Sequence, residues 1–101
     1  MPDATRVTPV HESGQGRWTV AIDGQLALLD YTLDEGGLEG GVMTIRHTEV
    51  PKALGGRGIA GELVRAALEF ARAKGYRVRP ACEYAVAWMA KHPEYEDLRA
   101  G

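Results

Sequence analysis

Alternation of apolar and polar side chains over the first half of the chain predicts three β-strands. These strands cover residues 17–22, 25–33 and 42–50, and each presents an apolar face. Asp23-Gly24 separates the first two strands, and this dipeptide favours a two-residue hairpin turn. The three strands are therefore expected to form an antiparallel meander.

The second and third predicted strands also carry informative residues off the main apolar face. Leu26 and Leu28 alternate with that face in the second strand, so part of the strand is expected to be covered on both sides. Strict alternation divides the third strand into two faces. One face carries Met43, Ile45, His47 and Glu49, and the other carries Val42, Thr44, Arg46, Thr48 and Val50.

Apolar residues change to helical spacing in the second half of the chain. Residues 60–74 predict a helix, and Gly75 is a natural residue to follow its last turn. A short strand over residues 77–80 should pair in parallel with the strand over residues 42–50, because a helix connects the two. Residues 84–91 predict a second helix.

Together these elements predict one α+β domain over residues 1–101. An antiparallel β-meander leads into one βαβ crossover and a C-terminal helix. Residues 1–16 are poorly defined, with at most a short strand around residues 6–11. A chain of 101 residues is long enough for a single hydrophobic core.

Composition indicates the setting in which the protein works. The chain starts without a basic, apolar leader, and its apolar runs are shorter than the ~18 residues of a membrane span. We therefore expect a cytoplasmic protein with no membrane partner. Cys82 is the single cysteine, which excludes an internal disulfide. The three histidines are scattered along the chain, so no metal site is expected.

A glycine-rich segment joins the two halves of the chain. Four glycines lie within residues 55–61, directly before the first predicted helix. The N–H groups and dipole of a helix N-terminus favour a phosphate, although the same loop also suits a tight turn that seats the helix. Residues 1–50 carry a net charge of −5 and residues 51–101 a net charge of +3. The loop lies in the basic half, which favours an anionic ligand.

Three phosphate-binding patterns can be compared with this loop. A P-loop is excluded, because no Gly-Lys-Ser/Thr follows at the required spacing. The dinucleotide pattern G-x-G-x-x-G is satisfied by residues 56–61, but residues 51–55 separate it from the preceding strand and the upstream strands are antiparallel. The acetyltransferase pattern Gln/Arg-x-x-Gly-x-Gly/Ala aligns with residues 55–60. In that alignment Gly58 and Ala60 match, and Gly55 stands where Gln or Arg is usual.

Four segments extend the resemblance to GNAT acetyltransferases, in this order along the chain. They are His47-Thr48-Glu49-Val50-Pro51, Gly58-Ile59-Ala60-Gly61-Glu62-Leu63-Val64, Pro80-Ala81-Cys82-Glu83-Tyr84 and Lys91-His92-Pro93-Glu94-Tyr95. Together they resemble the short, YjdJ-like branch of the GNAT superfamily, whose members are small predicted N-acetyltransferases. The resemblance covers roughly residues 18–95.

This resemblance implies a minimal GNAT-like fold that moves an acetyl group from acetyl-CoA to an amine. The loop amides would then hold the pyrophosphate, and the pantetheine arm would lie between the two parallel strands. The residues expected to bind acetyl-CoA or CoA are Val50, Leu54, Gly55, Gly56, Arg57, Gly58, Ile59 and Ala60. The sequence leaves open the oligomeric state and the acceptor, which is a small molecule or a protein lysine.

Four residues are candidates for the chemistry of acetyl transfer. The resemblance implies that Cys82 sits at the active site and is a candidate to accept the acetyl group covalently. A thiol at its ordinary pKa of about 8.5 needs activation at pH 7, for which His47 or the start of the second helix is a candidate. Glu49 is an alternative base, and Tyr84 is a candidate proton donor to the leaving thiolate. From the residues alone, each of these side chains also fits a purely structural role.

A non-catalytic acyl-CoA-binding module is the alternative function. The replacement of the usual Gln or Arg by Gly55 favours it, as does the lack of the N-terminal elements that form an acceptor pocket in longer GNAT proteins. Nucleic-acid binding is not expected. Arg72, Lys74, Arg77 and Arg79 are accompanied neither by an aromatic stacking platform nor by an excess of basic residues.

Overall fold

The computed structural model of the protein describes residues 7–35 and 40–100. Over these residues the chain forms five strands, which are β1 (Val10–Glu12), β2 (Arg17–Ile22), β3 (Gln25–Asp34), β4 (Val42–Glu49) and β5 (Arg77–Pro80). The α-helices are α1 (Ile59–Lys74) and α2 (Glu83–Ala90). Short 3-10 helices cover Ser13–Gln15, Lys52–Leu54 and Pro93–Leu98.

Most predicted boundaries differ from these by a single residue. β3 runs one residue longer, β4 ends one residue earlier, α1 begins one residue earlier, and α2 is displaced by one residue towards the N-terminus. The short strand predicted around residues 6–11 is displaced to Val10–Glu12, and residue 6 lies outside the described residues. The 3-10 helix over Pro93–Leu98 is not predicted by the periodicity.

The five strands form one sheet in the order β1-β2-β3-β4-β5. The first four strands pair antiparallel and β5 pairs in parallel with β4, which confirms the predicted meander and crossover. Asp23 and Gly24 have φ angles of 52° and 75° and connect the paired residues Ile22 and Gln25. Positive φ at both central residues is the geometry that an Asp-Gly hairpin turn favours.

A β-bulge interrupts the pairing of β3 with β4. Tyr31 pairs with Ile45, but the preceding residue Asp30 pairs with His47. Arg46 is therefore an extra residue in β4 with no counterpart in β3. Because side chains alternate along a strand, one inserted residue moves all later side chains of β4 to the opposite face.

The strictly alternating faces predicted for β4 are therefore wrong. Ile45 is fully buried on the face that α1 covers. After the bulge Thr48 takes that direction, since it pairs with the fully buried Leu29 and cross-strand partners share a face. His47 and Glu49 lie together, as predicted, but on the face opposite Ile45.

The hydrophobic core lies between the sheet and the two helices. α1 buries the five residues predicted from its periodicity, which are Leu63, Val64, Ala67, Leu68 and Ala71. On the other face of the sheet Leu28 is half-buried and Leu26 is 45% exposed. The prediction that β3 is covered on both sides is therefore wrong at Leu26.

Candidate functional site

The parallel strands β4 and β5 separate halfway along β4. Their last pair joins Ile45 to Pro80, and the amide of Ala81 donates to the Ile45 carbonyl oxygen at 2.9 Å. Among the described strands, the later residues of β4 pair with β3 only. The separation leaves a gap between the end of β4 and the segment that leads into α2.

The glycine loop connects the end of β4 to the start of α1. Leu54, in the second 3-10 helix, is 1% exposed and anchors the loop in the core. Gly56 and Gly58 have φ angles of 80° and 75°, a conformation that other residues rarely adopt. The carbonyl of Gly58 accepts the amide of Glu62 at 3.1 Å, so the helical ladder begins there. The amides of the first turn of α1 have no acceptor within the helix and are available to a ligand.

A cavity of about 220 Å³ lies between this loop and the start of α2. Its walls are formed by Val50, Leu54, Gly55, Gly56, Gly58, Ile59, Ala60 and Tyr84. The fold thus brings together seven of the eight residues expected to bind the cofactor. Arg57 is exposed on the loop and does not line the cavity.

Cys82 is the N-cap residue of α2 and faces the gap. Its Sγ accepts the amide of Ala85 at 3.4 Å and lies 3.5 Å from Oγ1 of Thr48. The thiol is free and half-buried. Because Thr48 points to the core side of β4, the thiol lies on the side opposite His47. Of the two predicted sources of activation, the start of α2 touches Cys82.

His47 and Glu49 form a pair on the surface beside the gap. Nε2 of His47 lies 3.7 Å from Oε1 of Glu49, and their side chains are 58% and 65% exposed. Solvent reaches both groups. The bulge, which turns His47 away from the core, separates this pair from the thiol of Cys82 by the thickness of β4.

Tyr84 is the only candidate for proton transfer in the wall of the glycine-loop cavity. Tyr84 is 42% exposed, and partial burial raises the pKa of its phenol above the usual value of 10. The hydroxyl therefore remains protonated at neutral pH, which a proton donor requires.

Two residues of the site are missed by sequence reasoning. Thr48 contacts the thiol, but strict alternation places it with Arg46, and nothing in the local sequence marks the bulge that separates them. Gly61 lies in the first turn of α1, where a β-carbon would stand 2.9 Å from Nε1 of Trp88. The signal for Gly61 was present, since a glycine inside a helical pattern often marks close packing.

The described residues contain neither a metal-binding cluster nor a helix that could span a membrane. No three His, Cys, Asp or Glu side chains of residues 7–35 and 40–100 are grouped closely enough to hold a metal ion. Within the same residues, no helix has the length and apolar character needed to span a membrane.

The fold and this site define a class of protein: a small α+β domain with a glycine loop at a helix N-terminus, beside a gap between two parallel strands. Residues 17–98 match the family described as GCN5-related N-acetyl-transferase. This match covers most of the chain, so the protein belongs to the GCN5-related N-acetyltransferase (GNAT) family.

Comparison with a solved structure agrees with the family. The fold is similar to the NMR solution structure of a GCN5-like putative N-acetyltransferase from Staphylococcus aureus, with a TM-score of 0.69 and 25% sequence identity. The similarity covers 94% of this chain and 89% of that chain.

Comparison by sequence finds the protein NATD1 of several vertebrates. A segment of 52 residues is 38% identical to NATD1 of Bos taurus and 36% identical to NATD1 of Homo sapiens. This segment is 52% of the present chain and 46% of each of these NATD1 chains. The match thus spans about half the length of the curated relatives.

Proposed function

We propose that this protein transfers an acetyl group from acetyl-CoA to an amine. The observation that carries the proposal is the cavity of about 220 Å³, which lies where a helix N-terminus, a glycine loop and the gap in the sheet meet. Family membership supports acetyl transfer in general. The resemblance to the short, YjdJ-like branch supports the finer assignment of Cys82 as the reactive group.

The loop suits the pyrophosphate of CoA for two physical reasons. The unpaired amides of the first turn of α1 and the positive end of its dipole favour an anion. Gly56 and Gly58 also leave space, because no described atom lies within 4 Å of the position of a β-carbon at either residue. Arg57, exposed on the same loop, adds a positive charge for the phosphates.

The apolar part of the same cavity suits the pantetheine arm. Val50, Leu54 and Ile59 supply hydrophobic wall, and Tyr84 closes the side towards α2. Val50 follows β4 directly, two residues beyond Thr48, whose hydroxyl contacts Cys82. An arm that leaves the loop along β4 would therefore run towards the thiol of Cys82.

Acetyl-CoA supplies a thioester, and the residues around the gap supply the proton transfers. Tyr84 donates a proton to the departing thiolate, while His47 or Glu49 accepts a proton from the acceptor ammonium. In a covalent route the Cys82 sulfur first takes the acetyl group, and the amine then attacks that new thioester. A free thiol at this position suits the reducing cytoplasm.

A non-catalytic acyl-CoA-binding module is the second candidate function. The observation that favours it is Gly55, which occupies the position where the acetyltransferase pattern has Gln or Arg. Gly55 has φ −63° and ψ 152°, a conformation open to any residue. A β-carbon there would stand 3.3 Å from the carbonyl oxygen of Lys52, so a side chain at this position needs only a small shift of the loop. The missing side chain is therefore a chemical difference at the cofactor site.

Thermal unfolding in the presence of CoA tests the proposal. Millimolar CoA or acetyl-CoA should raise the melting temperature, since a ligand that binds only the folded state stabilises it. Gly58→Val should abolish this shift, because Val is strained at a φ of 75° and its side chain would fill the space in front of the loop amides.

Gly75→Val is the matched control. Gly75 follows the other end of α1 with a φ of 77°, and apart from its immediate chain neighbours no described atom lies within 4 Å of the position of its β-carbon either. Both variants should lower the melting temperature in the absence of ligand, but only Gly58→Val should lose the CoA shift. If CoA has no effect on the original protein, both candidate functions are wrong. If CoA binds but no amine releases free CoA thiol from acetyl-CoA, the binding module is the better description.

A further inference from the structure

A second cavity, of about 610 Å³, lies at the β-bulge. Its walls are formed by Gln15, Gly16, Asp30, Tyr31, Thr32, Arg46 and His47. This volume falls within the range of pockets that hold small molecules. We call it the bulge pocket, and none of the residues expected to bind CoA lines it.

The bulge pocket contains one acidic and one basic group that lack partners. Among the described residues, neither Asp30 nor Arg46 makes a side-chain hydrogen bond or an ion pair. The cross-strand neighbour of Asp30 on β2 is Arg17, but the Arg17 guanidinium pairs with Glu12 at 2.7 Å. A half-buried carboxylate and a guanidinium are thus both free to bind a ligand.

The bulge is the reason that these two charges share one pocket. Arg46 is the inserted residue of β4, and bulges commonly redirect a side chain in this way. Asp30 pairs directly with His47, which places their β-carbons roughly 5 Å apart. The pocket thus presents a carboxylate, a guanidinium and an imidazole together.

The bulge pocket and the glycine-loop cavity share no lining residue and lie on opposite sides of β4, but both approach the end of this strand. His47 lines the first, Thr48 contacts the thiol of Cys82, and Val50 lines the second. His47 and Val50 are three residues apart, or roughly 10 Å along an extended chain. The gap between β4 and the start of α2 opens beside these residues.

We propose that the bulge pocket binds the acceptor, and that the acceptor is an amine that carries a carboxylate, as an amino acid or a short peptide does. This inference rests on the proposed acetyl transfer. Arg46 binds the acceptor carboxylate, for which a guanidinium is well shaped. Asp30 accepts a hydrogen bond from the amine and stabilises the positive charge that forms on nitrogen during attack. Polyamines fit less well, because Arg46 repels a second cationic group.

Protons and electron pairs balance in this arrangement. The acceptor ammonium gives one proton to His47, and the nitrogen lone pair then forms a bond to the acetyl carbon. The bond from that carbon to sulfur breaks, and its electron pair leaves on the thiolate. The thiolate receives the remaining ammonium proton through Tyr84, so that an amide and a free thiol are formed.

The acceptor panel that tests this inference consists of the twenty common L-amino acids, their amides, putrescine and spermidine. At least one amino acid should have a kcat/KM about tenfold or more above that of its amide, the range expected for a charged hydrogen bond. Arg46→Gln should remove most of this preference by raising KM for the amino acid, with little effect on the amide. Asp30→Asn should lower the rate with both compounds.

Lys91→Gln is the control for loss of a charge. Lys91 is exposed at the end of α2 and lines neither cavity, so its variant should keep the preference. NMR titration of the best amino acid with CoA present should shift the amides of Asp30 and Arg46 in the original protein and not in Arg46→Gln.

The outcomes separate the two proposals. If CoA fails to stabilise the protein, the proposed acetyl transfer is wrong and this inference falls with it. If CoA binds, but polyamines are the better substrates or no amino acid is accepted, only the assignment of the bulge pocket is overturned. An unchanged preference in Arg46→Gln also overturns it.

Discussion

Cys82 has two roles, and the effect of a single substitution cannot be assigned to one of them. Its sulfur accepts the amide of Ala85 and so caps α2, and the same sulfur faces Thr48 across the gap. Loss of an N-cap acceptor costs about 0.5–2 kcal/mol, with a weak acceptor such as sulfur near the low end. A loss of activity in Cys82→Ala can therefore arise from the loss of a nucleophile or from fraying of α2.

Cys82→Ser separates these roles. Serine is a preferred N-cap residue, so Cys82→Ser should retain the stability of the original protein, whereas Cys82→Ala should lose about 1 kcal/mol. Both variants should lack the labile acetyl adduct that intact-protein mass spectrometry is expected to detect after treatment with acetyl-CoA. Turnover at the original rate in Cys82→Ser would exclude the covalent route and leave direct transfer to the amine.

At the scale of the elements, a glycine in α1 allows this helix to pack closely against α2. Gly61 lies in the first turn of α1, and a β-carbon there would stand 2.9 Å from Nε1 of Trp88 and 3.5 Å from the Tyr84 hydroxyl oxygen. Trp88 has little freedom to move, because His92 stacks on it with ring centroids 3.6 Å apart and Arg65 lies over its ring. The approach of the two helices thus also sets the position of Tyr84 in the cavity wall.

Gly61→Ala should therefore destabilise the protein although alanine favours helices. The gain in helix propensity is about 1 kcal/mol, while overpacking costs about 1–3 kcal/mol, so we expect a net loss of roughly 1 kcal/mol. Urea unfolding followed by tryptophan fluorescence measures this change. Trp88→Phe removes the indole nitrogen, so the two changes together should cost less than the sum of the single changes. Strict additivity would contradict the contact.

The bulge explains which part of the site the sequence could predict. The glycine loop was predictable because each of its requirements is local: Gly56 and Gly58 supply positive φ, and α1 supplies free amides. The faces of β4 were not, because Arg46 becomes an extra residue only through its pairing with β3. An alternating pattern contains no information about such an insertion, so the Thr48–Cys82 contact and the bulge pocket appear only in the folded chain.

At the scale of the molecule, the charges in the bulge pocket and the net charge of the chain predict different classes of acceptor. The chain carries a net charge of −2, which by itself favours a cationic amine. The bulge pocket instead holds one free carboxylate and one free guanidinium, which favour a ligand with both charges. Groups in contact with the ligand dominate, because a distant surface charge is screened beyond about 8 Å at physiological ionic strength.

An aromatic cluster connects β1 and β2 to α1. The ring of His11 in β1 stacks on Trp18 with ring centroids 4.1 Å apart. Phe70 of α1 packs edge-on against the same His11 ring, with centroids 4.5 Å apart. The Tyr31 hydroxyl is hydrogen bonded to Nε2 of His11. Burial lowers the pKa of His11 and raises the pKa of Tyr31, so a neutral imidazole and a protonated phenol are favoured.

This cluster should make the stability of the whole domain depend on pH. In the folded state the pKa of His11 is below its ordinary value of 6.5. Below neutral pH, His11 is therefore protonated more in the unfolded chain than in the folded one. The contribution of neutral His11 is complete above pH 6.5 and is lost as pH falls through the lowered pKa of the folded protein. Urea midpoints measured between pH 7.5 and pH 5 should therefore fall as the pH is lowered.

His11→Gln should be less stable at pH 7.5, since it loses the ring contacts, but its midpoint should fall less over this range. Equal falls in the two proteins would show that another group causes the acid sensitivity.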